Sequence, residues 1–194
     1  MKIAIQKSGR LNELSNNILL QKNIYLPQQL ERKLIIDLPP NKIYLLRDDD
    51  IPNLVNLNVA DCGIVGNDVL DEYLDQQTQN NIKIVKKLND QKCRLSIASK
   101  TKTLNLNDLN GKTIATSFPN TLRKWLDTNA IKAKIVEMYG SVELAIDIGY
   151  SDYICDLVSS GKTLTENNLF ENIVIKDVYP VIIQNINNQE DLWK

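Results

Sequence analysis

The chain has 194 residues, of which 43% are hydrophobic, a formal net charge of −1 and no histidine. This length is enough to bury a core in one domain or in two small lobes, and the balanced charge gives no support for a nucleic-acid partner or an anionic membrane. The lack of histidine excludes Ser-His-Asp and Cys-His nucleophiles, imidazole bases and histidine zinc sites. Any reaction must therefore use carboxylates, cations, hydroxyls, backbone dipoles and, as a further candidate, Mg²⁺.

The cysteines and the first residues indicate a cytoplasmic protein. Cys62, Cys93 and Cys155 are odd in number and form no Cys-x-x-Cys pair, so three reduced, buried thiols are favoured over a redox or metal site. The start of the chain is too short for the apolar region of a signal peptide, and no apolar run approaches membrane-spanning length. We therefore expect no membrane partner.

The first half of the chain alternates strands with helices. Alternating apolar residues predict a strand over 2–6, and apolar residues at helical spacing predict a helix over 12–22. The turn between them carries Lys7 and Arg10, where α/β sheets usually bind ligands, although a solvated surface loop would look the same. The other elements predicted here are a strand around 34–36, a strand over 42–47, a helix with Asp50 as its N-cap, a buried strand ending in Gly63 and Gly66, a helix over 68–74 capped by Asn67, and strands over 82–88 and 93–99.

The turn at Gly63 and Gly66 allows two interpretations. It is either a second helix start that faces a ligand or a place where strand and helix pack tightly.

The second half repeats the alternation. The predicted elements are strands over 112–117 and 133–138, helices over 119–128 and 141–148, and closing strands over 172–176 and 179–186. This order indicates two α/β lobes that meet near Ser99, and the cleft between two lobes is the default place for a site. Glu143 lies in the first turn of the 141–148 helix. The helix dipole alone would favour an acid there, and the alternative is that Glu143 faces a ligand together with Asp156.

The segment 153–164 is the strongest candidate for chemistry. It begins as an apolar strand, passes Asp156 and turns at Gly161 into a short helix predicted over 164–169. Glycine permits a turn whose N–H groups converge on an anion, and a carboxylate nearby suits the hydroxyls of a sugar. The pattern therefore suggests a ribose 5-phosphate site, whose remaining candidate donors are Ser159, Ser160, Lys162 and Thr163.

Two other interpretations of the same turn have to be weighed. Thr163 would also serve as the N-cap of an ordinary strand-to-helix turn. A Walker phosphate loop is excluded, because the glycine needed five residues before the Gly-Lys pair is replaced by Asp156 here and by Leu106 before the second Gly-Lys-Thr, at 111–113.

Seven segments, in order, resemble the ATP phosphoribosyltransferase family. They are Ile3–Leu11, Leu46–Pro52, Ala60–Gly66, Cys93–Ser96, Ile114–Pro119, Gly140–Glu143 and Asp152–Leu164. The resemblance implies a two-lobed type II periplasmic-binding-protein-like α/β fold with the active site in the interlobe cleft. It places residues 1–98 and 171–194 in the first lobe and 99–170 in the second.

The resemblance also implies a reaction and a set of partners. N1 of ATP would attack C1 of phosphoribosyl pyrophosphate and release pyrophosphate, with substrate-bound Mg²⁺ and no metal held by the protein alone. Residues 159–163 match the 5-phosphate loop, with Asp156 and Glu143 near the ribose hydroxyls. Arg10 and Arg32 match cations linked to the departing pyrophosphate, and Lys7 and Arg47 match phosphate contacts.

The resemblance is to the catalytic part of the family's long form, without its C-terminal regulatory domain. It implies a homodimer, and a histidyl-tRNA-synthetase-like regulatory subunit if the chain is of the short form. Asn58 replaces a usual glycine, and Asp147 adds an acid that we expect to weaken substrate binding. A non-catalytic binding module with the same lobes and a different phosphoribosyltransferase remain alternatives.

Overall fold

The computed structural model describes residues 1–27, 33–188 and Trp193 of the chain. Within these residues the contacts divide the chain into two compact units, Met1–Gln91 with Tyr179–Lys194 and Lys92–Val178. The strands are β1 (Lys2–Gln6), β2 (Ile35–Leu38), β3 (Asn41–Leu46), β4 (Cys62–Gly66), β5 (Ile82–Lys87), β6 (Cys93–Ser99), β7 (Thr113–Thr116), β8 (Lys134–Glu137), β9 (Tyr153–Val158), β10 (Phe170–Val178) and β11 (Pro180–Asn185). The helices are α1 (Asn12–Gln21), α2 (Ile51–Asn56), α3 (Asn67–Leu74), α4 (Pro119–Thr128), α5 (Leu144–Asp147) and α6 (Lys162–Glu166), with 3₁₀ turns at Asp48–Asp50 and Leu106–Leu109.

The first unit is built on a mixed sheet in the order β2-β3-β1-β4-β11-β5. The central strand β1 pairs in parallel with β3 and β4, and β11 returns antiparallel to β4. Alternate residues of β1 serve two cores: Ile3 and Ile5 face one cluster and Ala4 faces the other. The carboxyl ends of the parallel strands therefore meet at one edge, where the turns after β1 and β3 carry the predicted cations.

The second unit is built on a mixed sheet in the order β10-β6-β9-β7-β8. Strand β9 lies at its centre, parallel to β7 and antiparallel to β6. Tyr153 and Cys155 of β9 pack into one core, whereas Ile154 and Val158 pack into the other. Because side chains alternate along a strand, Asp156 shares the face of Ile154 and Val158.

The unit boundaries differ from the predicted lobe boundaries near 98 and 171. Strand β6 pairs with both β9 and β10, so the structure groups all three in the second unit. The chain crosses between the units at 91/92 and 178/179 instead. The sequence pattern located the strands but did not reveal their pairing, because pairing depends on distant residues.

Most predicted elements agree with the structure within two residues, and β6 and α4 have the predicted bounds. Four details differ. Asn67, predicted to cap α3, is instead its first residue and makes no side-chain cap, because its amide oxygen accepts a hydrogen bond from the N–H of Tyr179. Asp50 makes no side-chain cap to α2, because Asp48–Asp50 forms a 3₁₀ turn that leads directly into the helix. The helix predicted over 141–148 is helical only over Leu144–Asp147, and the helix predicted over 164–169 begins two residues earlier, at Lys162.

Asn58 has a φ of +57°, in the left-handed region. Asparagine tolerates that region better than most residues, so its replacement of the usual glycine keeps the turn after α2.

Candidate functional site

The predicted phosphate loop lines a pocket of about 180 Å³ in the second unit. Gly161 has φ +76°, which L-residues rarely adopt, and this conformation turns the chain from β9 into α6. The Ser160 hydroxyl accepts a 3.4 Å hydrogen bond from the N–H of Lys162 and helps to close the turn. The residues lining the pocket are Glu143, Ile154 and the whole run from Asp156 to Leu164, which includes Ser159, Ser160, Gly161, Lys162 and Thr163.

Two carboxylates belong to this pocket. Asp156 is half-buried, and one oxygen accepts a 2.7 Å hydrogen bond from the N–H of Leu157. Burial raises the pKa of Asp156 and the charge of Glu143 raises it further, while the Leu157 N–H acts in the opposite direction. A desolvated carboxylate beside a second acid is costly to the fold, so its presence favours a ligand-binding role over a purely structural one.

The cation of the loop lies at the surface. Lys162 and Glu166 form an i,i+4 pair with 3.7 Å between Nζ and Oε1, and both side chains are mostly exposed. Such a pair contributes only about 0.3–0.5 kcal/mol, so a stronger anion can displace it. Because α6 has five residues, we assign the anion-binding capacity to the turn rather than to a helix dipole.

Asp147, expected to weaken substrate binding, is neutralised by a neighbour. Its carboxylate lies 2.5 Å from the ammonium of Lys100, with both side chains about half exposed. The ammonium therefore offsets part of the negative charge of Asp147.

A second pocket, of about 420 Å³, lies in the first unit and contains Lys7 and Arg47. Its other lining residues are Gln6, Ser8, Leu34, Leu45, Leu46, Asp48 and Asp50. The buried Gln6 connects two of the segments at this pocket. The amide of Gln6 donates a hydrogen bond to Asp48 at 3.0 Å and accepts one from the N–H of Leu11 at 2.9 Å. The pocket combines two cations and two acids with three leucines, which suits a ligand that has both charged and apolar parts.

Arg10 lies in the turn between β1 and α1, where it contacts two other parts of the first unit. Its guanidinium donates a 2.7 Å hydrogen bond to the carbonyl of Gln91, and its Nη2 lies 3.7 Å from the carboxylate of Asp68. The structure thus brings together the loop residues with Asp156 and Glu143, and separately Lys7 with Arg47. Arg32, the other predicted pyrophosphate cation, lies outside the described residues.

Asp68 is the residue that the sequence analysis missed. The pattern placed it only at the start of a helix, whereas the structure buries it to 1% exposure beside Arg10. A usable signal was present, because an acid follows two residues after a glycine at the end of a buried strand.

Among the described residues, no group of three or more acidic or cysteine side chains is arranged to hold a metal ion. In the same part of the chain, no helix combines the length and the apolar character that crossing a membrane requires.

The three cysteines are buried and form no disulfide. Burial raises the pKa of Cys62 to about 12, which leaves it almost entirely as the unreactive thiol at neutral pH. We expect single replacements by alanine to leave turnover per folded molecule unchanged and to cost roughly 1 kcal/mol of stability. Steady-state assays with thermal melts check this, and loss of turnover in a folded variant would contradict a mechanism without a nucleophilic thiol.

Comparison with known proteins supplies the family. The sequence model described as HisG: ATP phosphoribosyltransferase matches residues 47–192. An ATP phosphoribosyltransferase from Xylella fastidiosa (strain M12) is 39% identical, in an alignment covering 98% of this chain and 65% of the relative. The chain therefore spans just under two thirds of that relative's length. The ATP phosphoribosyl transferase (HisG:HisZ) complex from Thermotoga maritima superimposes with a TM-score of 0.79 at 29% identity, covering 96% of this chain and 88% of that one.

A more distant structure confirms the fold class. The probable amino-acid ABC transporter extracellular-binding protein YtmK from Bacillus subtilis matches with a TM-score of 0.62 and 13% identity, over 100% of this chain and 87% of that one. At this identity the likeness concerns the fold alone, and it agrees with the predicted two-lobed, type II periplasmic-binding-protein-like α/β architecture. The profile match over 47–192 and the identity to the Xylella enzyme show more, and the chain belongs to the ATP phosphoribosyltransferase family.

Proposed function

We propose that this chain transfers a phosphoribosyl group from phosphoribosyl pyrophosphate to N1 of ATP and releases pyrophosphate, the first step of histidine biosynthesis. The observation that carries the proposal is the pocket of the second unit, where the 159–163 turn and the carboxylates of Asp156 and Glu143 line one small cavity. A hydroxyl-rich turn with a left-handed glycine suits the 5-phosphate, and two carboxylates suit the ribose hydroxyls beside it.

The available side chains fit the demands of this reaction. A ring nitrogen of adenine attacks through its lone pair and needs no base to deprotonate it, so a chain without histidine can carry out the step. The main demand is to stabilise the negative charge that develops on the departing pyrophosphate while C1 becomes cation-like. Fixed cations perform that task, and removing one such group commonly costs about 2.7–4 kcal/mol if oxyanion-hole values transfer.

We assign the cations of the first unit to the phosphates. Lys7 and Arg47 would contact phosphate oxygens from the 420 Å³ pocket, and Arg10 together with Arg32 would interact with the departing pyrophosphate. Asp48 and Asp50 line the same pocket as Lys7 and Arg47, and this mixture of acids and bases suits a phosphate that carries Mg²⁺. The ion supplies further neutralisation of the leaving group when the substrate brings it.

The proposal extends to the quaternary structure. The Thermotoga relative is named as a complex of two kinds of subunit. We infer that this chain assembles as a homodimer and binds a histidyl-tRNA-synthetase-like regulatory subunit, and we expect it to act in the cytoplasm.

The test is a direct assay of the purified chain, alone and with such a subunit. ATP, phosphoribosyl pyrophosphate and Mg²⁺ should yield equal amounts of pyrophosphate and of a phosphoribosyl-ATP adduct identified by mass spectrometry. Turnover with free nucleobases instead of ATP would indicate a different phosphoribosyltransferase. Binding of phosphoribosyl pyrophosphate in calorimetry without turnover under either condition would indicate a binding module.

A further inference from the structure

Asp68 is a buried carboxylate whose position needs an explanation. It lies in the first turn of α3 and is 1% exposed. The dipole of α3 accounts for an acid in the first turn, but it does not account for the burial, because a charged carboxylate removed from water is costly unless a cation compensates it. The cation is Arg10, whose Nη2 lies 3.7 Å from the Asp68 carboxylate.

Gly66 makes room for this pair. A Cβ at Gly66 would lie 1.9 Å from Oδ1 of Asp68 and 3.0 Å from Nη2 of Arg10. The backbone of Gly66 is extended, with φ −72° and ψ 145°, so its conformation does not require a glycine. The requirement comes from the space that the carboxylate and the guanidinium occupy.

The guanidinium of Arg10 is held at two points. Nη1 donates to the Gln91 carbonyl at 2.7 Å, and Nη2 faces Asp68, while 24% of the side chain stays exposed. One hydrogen bond and one ion pair restrict the orientation of the planar group, and the exposed part remains open to an anion. An arginine without these contacts would lose rotamer freedom on binding and would bind less favourably.

The charges around Asp68 reach beyond Arg10. The 3₁₀ turn Asp48–Asp50 packs against α3. Desolvation raises the pKa of Asp49, and the nearby carboxylates, which include Asp68, raise it further. Arg47 acts in the opposite direction. Asp68 thus lies near the 3₁₀ turn that follows Arg47 as well as near Arg10.

We propose that Asp68 is a positioning residue, which fixes the guanidinium of Arg10 in the orientation that receives the departing pyrophosphate, with Gly66 providing the space. This inference rests on the proposed transfer reaction for its catalytic consequence, but not for the orientation itself. The orientation is a property of the ligand-free protein and is measured separately.

The catalytic test uses Asp68→Asn, which keeps the shape of the side chain and removes its charge. Because misplacing a reacting or stabilising group by an ångström costs up to about 100-fold in rate, we expect kcat to fall about 10- to 100-fold. The KM for phosphoribosyl pyrophosphate should change much less, since the charge on the leaving group develops only in the transition state. In an Arg10→Lys background the same change should alter kcat by less than about twofold, because Asp68 acts through Arg10.

Gly66→Ala tests the same geometry without changing any charge. It should lower kcat in the same way by displacing the carboxylate and the guanidinium. Its control is Gly63→Ala on the same strand, whose Cβ would meet Cγ2 of Ile51 at 2.6 Å in the apolar core. Both variants lose stability through a steric clash, but only Gly66→Ala should lose kcat per folded molecule.

The spectroscopic test needs no substrate. In ¹⁵N-labelled protein the Arg10 side-chain Nε–Hε signal, assigned by its loss in Arg10→Lys, should exchange slowly with water in the parent chain and faster in Asp68→Asn and Gly66→Ala. An unchanged signal, or additive effects of Asp68→Asn and Arg10→Lys on kcat, would overturn the proposal. If the parent chain shows no turnover but the Arg10 signal responds as expected, the transfer reaction is wrong and the positioning role stands.

Discussion

Replacing Asp156 by asparagine should lower turnover at least about tenfold in a protein that remains folded, because it removes the charged hydrogen-bond acceptor that we propose for the ribose. The asparagine oxygen can still accept the 2.7 Å hydrogen bond from the N–H of Leu157, so the strand end keeps its local geometry. Steady-state kinetics with phosphoribosyl pyrophosphate as the varied substrate, together with circular dichroism, measure both quantities.

The same replacement should lower turnover without lowering the stability of the fold at neutral pH. The pKa of Asp156 is raised in the folded state by burial and by the charge of Glu143, so the folded protein binds this proton more tightly than the unfolded chain does. The contribution of Asp156 to stability therefore falls as the pH rises from the ordinary carboxylate pKa through the raised one. At neutral pH the asparagine variant should be at least as stable as the parent, and this difference should disappear in acid.

Asp152 provides a matched control just before the same strand. The carboxylate of Asp152 accepts a 2.8 Å hydrogen bond from the N–H of Thr113, and this bond lowers the pKa of Asp152. The nearby Lys112 lowers it further. Asp152 therefore stabilises the fold above the pKa that it has in the unfolded chain. This stabilisation is lost as the pH falls through the lower pKa that it has in the folded protein. Asp152→Asn should thus lose a little stability at neutral pH and keep full turnover. Equal turnover in both variants would show that Asp156 has no role in binding the substrate.

The sequence predicted the local elements and the loop well because both depend on neighbouring residues. The alternation of apolar residues along β9 and the glycine after it are local signals, and they placed Asp156 and Gly161 correctly at a strand end and a turn. The pocket of the second unit is mostly one continuous run of chain, with Glu143 as the main distant contributor. The lining of such a pocket can be predicted from spacing, whereas the ligand that it binds cannot.

The environment of Arg10 could not be predicted in the same way. Gln91 and Asp68 are distant from Arg10 in the sequence. Asp68 meets Arg10 because it follows β4, which pairs in parallel with β1, whereas Gln91 follows β5, which joins the same sheet through β11. The assignment of β6 and β10 to the second unit depends likewise on strand pairing across 70 or more residues. Neither hydrophobic periodicity nor turn chemistry carries this information.

Replacing Gly161 by valine should lower turnover at least about tenfold by changing the backbone of the phosphate loop, since small displacements of a binding group are costly to rate. A Cβ at Gly161 would have only Cγ1 of Val158 within reach, at 4.0 Å, so there is room for a larger side chain. The effect must come from φ +76°, a conformation that costs an L-residue about 1–2 kcal/mol and a β-branched one more. The loop is then expected to relax away from the shape that we propose for binding the phosphate.

Two comparisons separate this backbone effect from a general loss of stability. Asparagine tolerates the left-handed region, so Gly161→Asn should retain more turnover than Gly161→Val. Gly111 begins the second Gly-Lys-Thr run, has φ +73° and would have nothing within 4 Å of an added Cβ. Gly111→Val should therefore cost a similar amount of stability in thermal melts while leaving the KM for phosphoribosyl pyrophosphate and kcat unchanged. If the two valine variants lose turnover equally, or if neither does, the 159–163 turn is only a connection between β9 and α6, and the phosphate must bind elsewhere.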